Sequence, residues 1–415
     1  MSWAVADQAM SSLNSFLVGI PAAHQCGAAG FGVFSTAWVT YGVALAMSRG
    51  LSTDPLTVRY SGVAQAPWRR ATSAALATAL AVGVGVGGLC AVAGLALGGL
   101  LGHAMLALGV VLPGVLVQDA WRISFIAVGA GKKAFVNDLI SCVVVVPLLF
   151  PAGRAGSPSA FLLAWGIAAL VAATAGIVQA AFCPRPAAVR GWLGAHRELN
   201  ARYLPENVTQ AGSVQLLSYG RSAVMGFGAL GSVRGANLLF GPLTVWLTGL
   251  TLFGIAEAVR TVATRPQRVR RFCVSFAAGK IVLVVGWGLF LLLLPTAAGR
   301  AVLGPLWAST RPLILPTTLI FVVNQPAAAA RVGLRALGAA RRSLRAQLVT
   351  SALTLIFGVV GAALSGVQGT VWGVVVATAI ASVFWWWDLE AEIRVATAAP
   401  PGVNVTHDVE PVSCR

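Results

Sequence analysis

The sequence predicts an all-α integral membrane protein of about twelve transmembrane helices, built as two six-helix bundles related by a pseudo-twofold axis along the membrane normal. Three observations carry that prediction: a composition too apolar for a water-soluble domain, an internal repeat with an offset of 209 residues, and a one-sided distribution of loop cations.

Mean hydropathy is +0.82 and only 10% of the 415 residues are charged, where a soluble domain carries roughly a quarter. The apolar segments are long enough to cross a hydrocarbon core of about 30 Å, and lipid offers their backbone no partner outside the segment, so they must be helices. A sliding window places the spans at roughly 8–26, 29–48, 71–98, 102–118, 135–152, 159–182, 210–231, 235–258, 272–295, 311–329, 346–366 and 369–388. The opening MSWAVADQAM lacks a positive leader and carries Asp7, so the first helix is expected to be retained.

Loops after the even-numbered spans hold 21 Lys and Arg, whereas the alternate loops hold only Arg154, Arg234, Arg300 and Arg311. That asymmetry predicts a multi-pass protein of the cytoplasmic membrane with both termini in the cytoplasm. It also accounts for most of the net charge of +17, as basic loops facing anionic membrane lipids. Nucleic acid is not an expected partner, because the cations are dispersed over short loops with no module to present them.

Shifted by 209 positions, Arg122 falls on Arg331, Gly129 on Gly338, and Lys132 and Lys133 on Arg341 and Arg342. The same shift puts Phe31 and Gly32 on Phe240 and Gly241, and Arg59 on Arg268. Each half contains six spans, which divides the chain into bundles at 1–205 and 206–392 and a cytoplasmic tail at 393–415, expected to be disordered. No oligomerisation segment is evident.

The six cysteines stand singly, with no CxxC pair and no histidine at metal spacing, so neither disulfide, metal nor cofactor is expected. No Walker A motif is present, and the short outer loops hold almost no Asp, Glu or His, so an enzyme is not expected either.

Paired bundles place substrate between the halves, which directs attention to the first helix of each. The first span carries Ser12 and Asn14, and the seventh carries Gln215, Tyr219 and Arg221; both sets are expected to line a watery cavity. An arginine in mid-span costs about 2.5–3.5 kcal/mol on insertion scales, so Arg221 needs an anionic ligand or an internal partner. Lys280 in the ninth span is a second cation of this kind, or one that snorkels to the interface.

The segments QDAWRISFIAVGAGKKAFVNDL and ARVGLRALGAARRSLRAQL end the fourth and tenth spans at the cytoplasmic face. Asp119 and Arg122 are spaced to pair at i and i+3. On one helix running from 331 to 345, Arg331, Arg335, Arg341, Arg342 and Arg345 would project within an arc of about 120°. Such a face could gather anionic headgroups at a cavity mouth, with Asp119, Arg122, Arg331 and Arg335 as a cytoplasmic gate.

The order of FGVFSTAWVTYGVALAMSRG, DPLTVR, LVQDAWRISFIAVGAGKKAFVNDL, NLLFGPLTVWLTGL and GLRALGAARRSL resembles the Wzx-type polysaccharide flippases of the multidrug/oligosaccharidyl-lipid/polysaccharide exporter superfamily, in an actinobacterial style, from about 8 to 388. The resemblance implies a transporter that moves a polyprenyl-pyrophosphate-linked oligosaccharide to the outer leaflet by alternating access, working with glycosyltransferases and a polymerase. Twelve spans and the lack of arginine in the first argue against a peptidoglycan precursor. Two alternatives stay open. A multidrug or cation antiporter of the same superfamily would need buried carboxylates, for which Asp7 and Glu257 are the candidates; a polyprenyl-dependent membrane glycosyltransferase or polymerase would need a catalytic outer loop.

Overall fold

The computed structural model describes residues 2–60, 65–201, 203–205, 207–208, 226–264, 268–337 and 339–398. The helices are α1 (Ser2–Gln25), α2 (Gly27–Leu51), α3 (Thr53–Tyr60), α4 (Gln65–Leu97), α5 (Gly99–Ala127), α6 (Gly131–Ala155), α7 (Pro158–Ala180), α8 (Val189–Ala195), α9 (Phe227–Leu239), α10 (Gly241–Thr264), α11 (Val269–Leu292), α12 (Thr296–Leu303), α13 (Ile314–Ala336) and α14 (Ala340–Ala398). Among the described residues there is no strand, and eight helical segments are long and apolar enough to cross a membrane. The protein is an all-α, multi-pass membrane protein.

Two compact units hold these helices, the first Met1–Gly241 with Pro295–Arg311 and the second Pro242–Leu294 with Pro312–Arg415. This grouping and the sequence division at 205/206 differ over 227–241 and 295–311. The physical reason is backbone contact: a Cβ on Gly32 of α2 would lie 1.7 Å from the Phe227 carbonyl oxygen, and one on Gly231 of α9 would lie 2.3 Å from that of Ala28.

The first unit packs through small residues. Along α4, Gly83, Gly87, Cys90 and Gly94 are buried, whereas Val84, Leu89, Val92 and Leu95 are exposed. Lipid is as apolar as leucine, so the large side chains gain nothing by turning inward, and glycines let backbones approach. Gly87 of α4 and Gly109 of α5 each face the other's carbonyl oxygen, and Gly94 and Gly102 form a second such pair.

The 209-residue register is kept at the boundaries that join α5 to α6 and α13 to α14, whereas α10 and α11 start about five residues to either side of the places that α2 and α4 predict. The end of α5 at Ala127 corresponds to the end of α13 at Ala336, and the start of α6 at Gly131 corresponds to the start of α14 at Ala340. The turn between α6 and α7, where Gly156 takes φ 58°, is repeated within α14 as non-helical Ser365 and Gly366, with Gly366 at φ 59°. That kink makes α14 two spans. Ten of the twelve expected spans fall on described helices; the eighth, at 235–258, straddles α9 and α10 across Phe240, and the seventh, at 210–231, lies mostly outside the described residues.

The helix of the fourth span runs past 118 to Ala127, carrying Asp119 and Arg122 into buried positions where each charge finds a partner. One expectation is corrected: the five arginines from 331 to 345 do not share one helix. The Ala339 amide bonds back to the Leu334 carbonyl oxygen at 3.0 Å, closing α13 before α14 begins.

Candidate functional site: a cationic cavity in the second unit

A cavity of about 380 Å³ opens between α10, α11 and α13. Its wall on α10 presents Thr244, Thr248 and Thr251, spaced so that they share a helix face. On α13, Asn324, Ala328, Arg331 and Arg335 share another, with Phe321 and Gln325 alongside. Lys280 closes the third side from α11, and among the described residues no Asp or Glu lines the cavity.

Lys280 is 3% exposed, and its ammonium donates to the Thr251 hydroxyl at 3.0 Å and lies 5.3 Å from the Phe276 ring centroid. Arg331 stacks its guanidinium 4.9 Å from the Trp385 ring centroid, while its Nε is buried with no hydrogen-bond partner among the described residues. The carboxylates that could have neutralised these cations are engaged elsewhere in the unit: Asp388 with Arg345, Glu390 with Arg270 and Glu392 with Arg342. An unpartnered guanidinium beside a buried ammonium is expensive unless an anion completes the site. Bidentate N–H groups and a point charge suit a phosphate or diphosphate.

Arg122, the repeat mate of Arg331, sits in a different setting. Its Nε donates to Asp7 Oδ2 at 2.8 Å and lies 3.6 Å from Asp138 Oδ2, its Nη1 reaches Asp119 Oδ1 at 3.5 Å, and its Nη2 donates to Gln8 Oε1 at 3.1 Å. Arg49 clasps Asp119 through Nε at 2.9 Å and Nη2 at 2.7 Å. Gln118 donates to Asp138 Oδ1 at 2.7 Å, and Asn137 donates to the Ala172 carbonyl at 2.7 Å. Three aspartates thus meet two arginines, and Asp7 Oδ1 and Asp138 Oδ2 are left buried without a hydrogen-bond donor among the described residues.

The structure therefore brings Lys280, Arg331 and Arg335 into one cavity, and Asp119 and Arg122 into the buried cluster of the first unit. Ser12 and Asn14 belong to that unit as well: Ser12 donates to the Gln8 carbonyl at 2.9 Å and Asn14 to the Ser141 hydroxyl at 3.0 Å. Arg221, Tyr219 and Gln215 lie outside the described residues. The threonines of α10 and the amides of α13 are not among the residues expected from sequence, although the spacing of Thr244, Thr248 and Thr251 is visible in the chain. Arg234, expected in a loop, lies within α9 with its guanidinium 5.9 Å from the Trp38 ring centroid.

No family model matches the chain, and no curated protein matches it. Among solved structures it is similar to the inward-facing conformation of a multidrug resistance MATE family transporter of the MOP superfamily, at 11% identity and TM-score 0.70, over 95% of this chain and 99% of that one. It is similar to the lipid II flippase MurJ, inward closed, at 12% identity and TM-score 0.68, over 94% of this chain and 89% of that one. A MOP superfamily transporter from Pyrococcus furiosus Vc1, for which a reverse polarity of the binding pocket suggests a different function, aligns at 12% identity and TM-score 0.55 over 95% and 94% of the two chains. At these identities the likeness defines the fold: this chain has the architecture shared by MATE transporters and MurJ.

Proposed function

We propose that the protein is a transporter that carries a polyprenyl-diphosphate-linked oligosaccharide across the cytoplasmic membrane by alternating access, with both termini cytoplasmic. The observation that carries the reading is the cavity with Lys280, Arg331 and Arg335 and, among the described residues, no carboxylate. A carrier that takes a diphosphate out of water has to replace its hydration with fixed donors and positive charge. Arg331 and Arg335, near the cytoplasmic end of α13, admit the headgroup. Arg221, with Tyr219 and Gln215, remains a proposed further contact, argued from its mid-span place in the sequence. Glycosyltransferases that build the glycan and a polymerase that consumes it are the functional partners of such a carrier.

The test is transport of a prenyl-diphosphate disaccharide in proteoliposomes, alongside lipid-linked glycan in a deletion strain. Wild-type protein is expected to expose the glycan on the far leaflet, and the deletion to accumulate it on the cytoplasmic side. A deletion strain without accumulation, together with inactive proteoliposomes, overturns the reading.

A second reading, a cation antiporter, draws on one observation: Asp7, Asp119 and Asp138 outnumber the two arginines they meet. The cationic cavity argues against cationic drugs as its cargo, because their charge would be repelled there.

A further inference from the structure

The cations of the cavity all lie at one end. Lys280 meets α10 at Thr251 and shares that end with Arg331 and Arg335. On α10, Thr248 and Thr244 follow one and two turns further from it; on α13, Gln325 and Asn324 both lie about two turns from Arg331, with Phe321 about one turn beyond them. Seven residues separate Thr244 from Thr251 and Asn324 from Arg331, so each wall advances about 10 Å along its axis from charge to neutral polar groups. The polar groups at this second end supply donors and acceptors without charge. Thr248 donates to the Thr244 carbonyl at 2.8 Å, which leaves its oxygen free to accept. The Asn324 side chain has no hydrogen-bond partner among the described residues, so both its amide nitrogen and its oxygen are available to a ligand.

We propose that this neutral end is a sugar subsite: Thr248 and Asn324, flanked by the Phe321 ring, read the hydroxyls of the first sugar attached to a diphosphate held by Lys280 and Arg331. The inference rests on the reading of the cationic end as a diphosphate site and deepens it. A phosphate has no use for uncharged amides beyond the reach of its oxygens, whereas a hexose ester-linked to the diphosphate extends its hydroxyls that far. A site that hydrogen-bonds hydroxyls also discriminates well, because a ligand lacking them leaves polar groups unpaired. The ligand class is a glycosyl diphosphate ester. Its lipid-linked and nucleotide-linked forms share this chemistry and are separated in the test.

Calorimetric titration of the purified full-length protein in detergent decides the matter with three kinds of probe: citronellyl diphosphate, the same diphosphate bearing glucose, galactose or N-acetylglucosamine, and UDP-glucose. For the wild type, at least one sugar-bearing prenyl diphosphate is expected to bind about tenfold more tightly than the bare one. Thr248→Val and Asn324→Leu, which keep side-chain volume, are expected to erase that advantage and leave affinity for bare citronellyl diphosphate unchanged. Lys280→Gln is expected to weaken both ligands by the same factor. If bare diphosphate binds and no sugar adds affinity, or if the two variants lose the bare ligand too, the sugar subsite is overturned while the diphosphate site stands. If no probe binds the wild type, the diphosphate reading falls and the subsite falls with it. Tighter binding of UDP-glucose than of every prenyl-linked sugar overturns the lipid-linked source.

Discussion

Arg122 and Arg331 occupy equivalent places in the 209-residue repeat, yet Arg122 is held by Asp7, Asp119 and Asp138 whereas the Nε of Arg331 is buried without a hydrogen-bond partner among the described residues. The difference is written in their neighbours: the positions matching Asp119 and Asp138 are Ala328 and Gln347, neither of which carries a charge. One arginine is built into the framework of its unit, and the other is exposed to whatever enters a cavity. Their substitution should therefore separate stability from binding.

For Arg122→Ala the expected result is a large loss of stability. Removing it leaves Asp119 with Arg49 and strands buried Asp7 and Asp138 with no cation among the described residues, and breaking a buried ion pair on one side costs about 3–5 kcal/mol. Thermal unfolding in detergent should show a clear fall in Tm. The double variant Arg122→Met with Asp7→Leu removes a charge of each sign and should recover part of it; equal Tm values for the single and double variants would refute the pairing.

Arg331→Gln should do the opposite. Its charge has no carboxylate to lose, so removing it relieves a desolvation cost and gives up only the stacking on Trp385, about 0.5–2 kcal/mol. The variant should insert normally, unfold within a few degrees of wild type, and bind citronellyl diphosphate at least tenfold more weakly. Undiminished binding would remove Arg331 from the site.

The spans and the repeat were legible because apolar length, loop charge and a fixed offset are properties of the chain itself. Element boundaries at Ala127/Ala336 and Gly131/Ala340 keep that offset. The charged clusters were not legible in the same way. Arg122 reads as the end of a span until Asp7, 115 positions away, and Arg49, which binds Asp119 from 70 positions away, are seen beside it. A helix keeps a charge only where a partner repays its desolvation, and that partner comes from tertiary packing. The same holds for Lys280, whose cavity appears only when α13 sets Arg331 and Arg335 beside it.

Gly87→Val should open the α4–α5 seam. A Cβ there would sit 2.5 Å from the Gly109 carbonyl oxygen, and backbone cannot swing aside as a side chain can. Overpacking of this kind costs about 1–3 kcal/mol. Gly85→Val is the control on the same helix, since a Cβ at Gly85 meets nothing within 4 Å. A matching fall in Tm for both variants would point to a general intolerance of valine in α4.

The 21-to-4 division of loop cations sets the proposed orientation, and single cysteines in a cysteine-free background test it. Arg154→Cys and Arg300→Cys should react with an impermeant maleimide applied to intact cells, whereas Arg70→Cys and Arg190→Cys should react only after permeabilisation. The reverse pattern would invert the protein, and with it the side from which Arg335 meets its ligand.

The last prediction concerns pH and lies outside the spans. His196, just beyond α8, is 2% exposed, with Nδ1 2.9 Å from the Trp192 carbonyl oxygen and Nε2 buried without a partner among the described residues. Its ring packs at a tilt against those of Trp192, centroids 4.0 Å apart, and Tyr60, centroids 5.9 Å apart. Burial holds its pKa below the ordinary histidine value, the nearby Arg59 pushes the same way, and the Trp192 carbonyl opposes both. A group whose folded pKa is depressed below about 6.5 is neutral in the fold while the unfolded chain takes up the proton. The unfolded state then binds more protons as pH drops, so stability contributed by neutral His196 is present above about pH 6.5 and is lost as the pH falls through that value toward the folded pKa. His196→Phe keeps an aromatic ring against Trp192 and removes the proton site. Tm measured between pH 8 and pH 5 should therefore fall less for the variant than for wild type, and identical slopes would show that His196 does not set the acid limb.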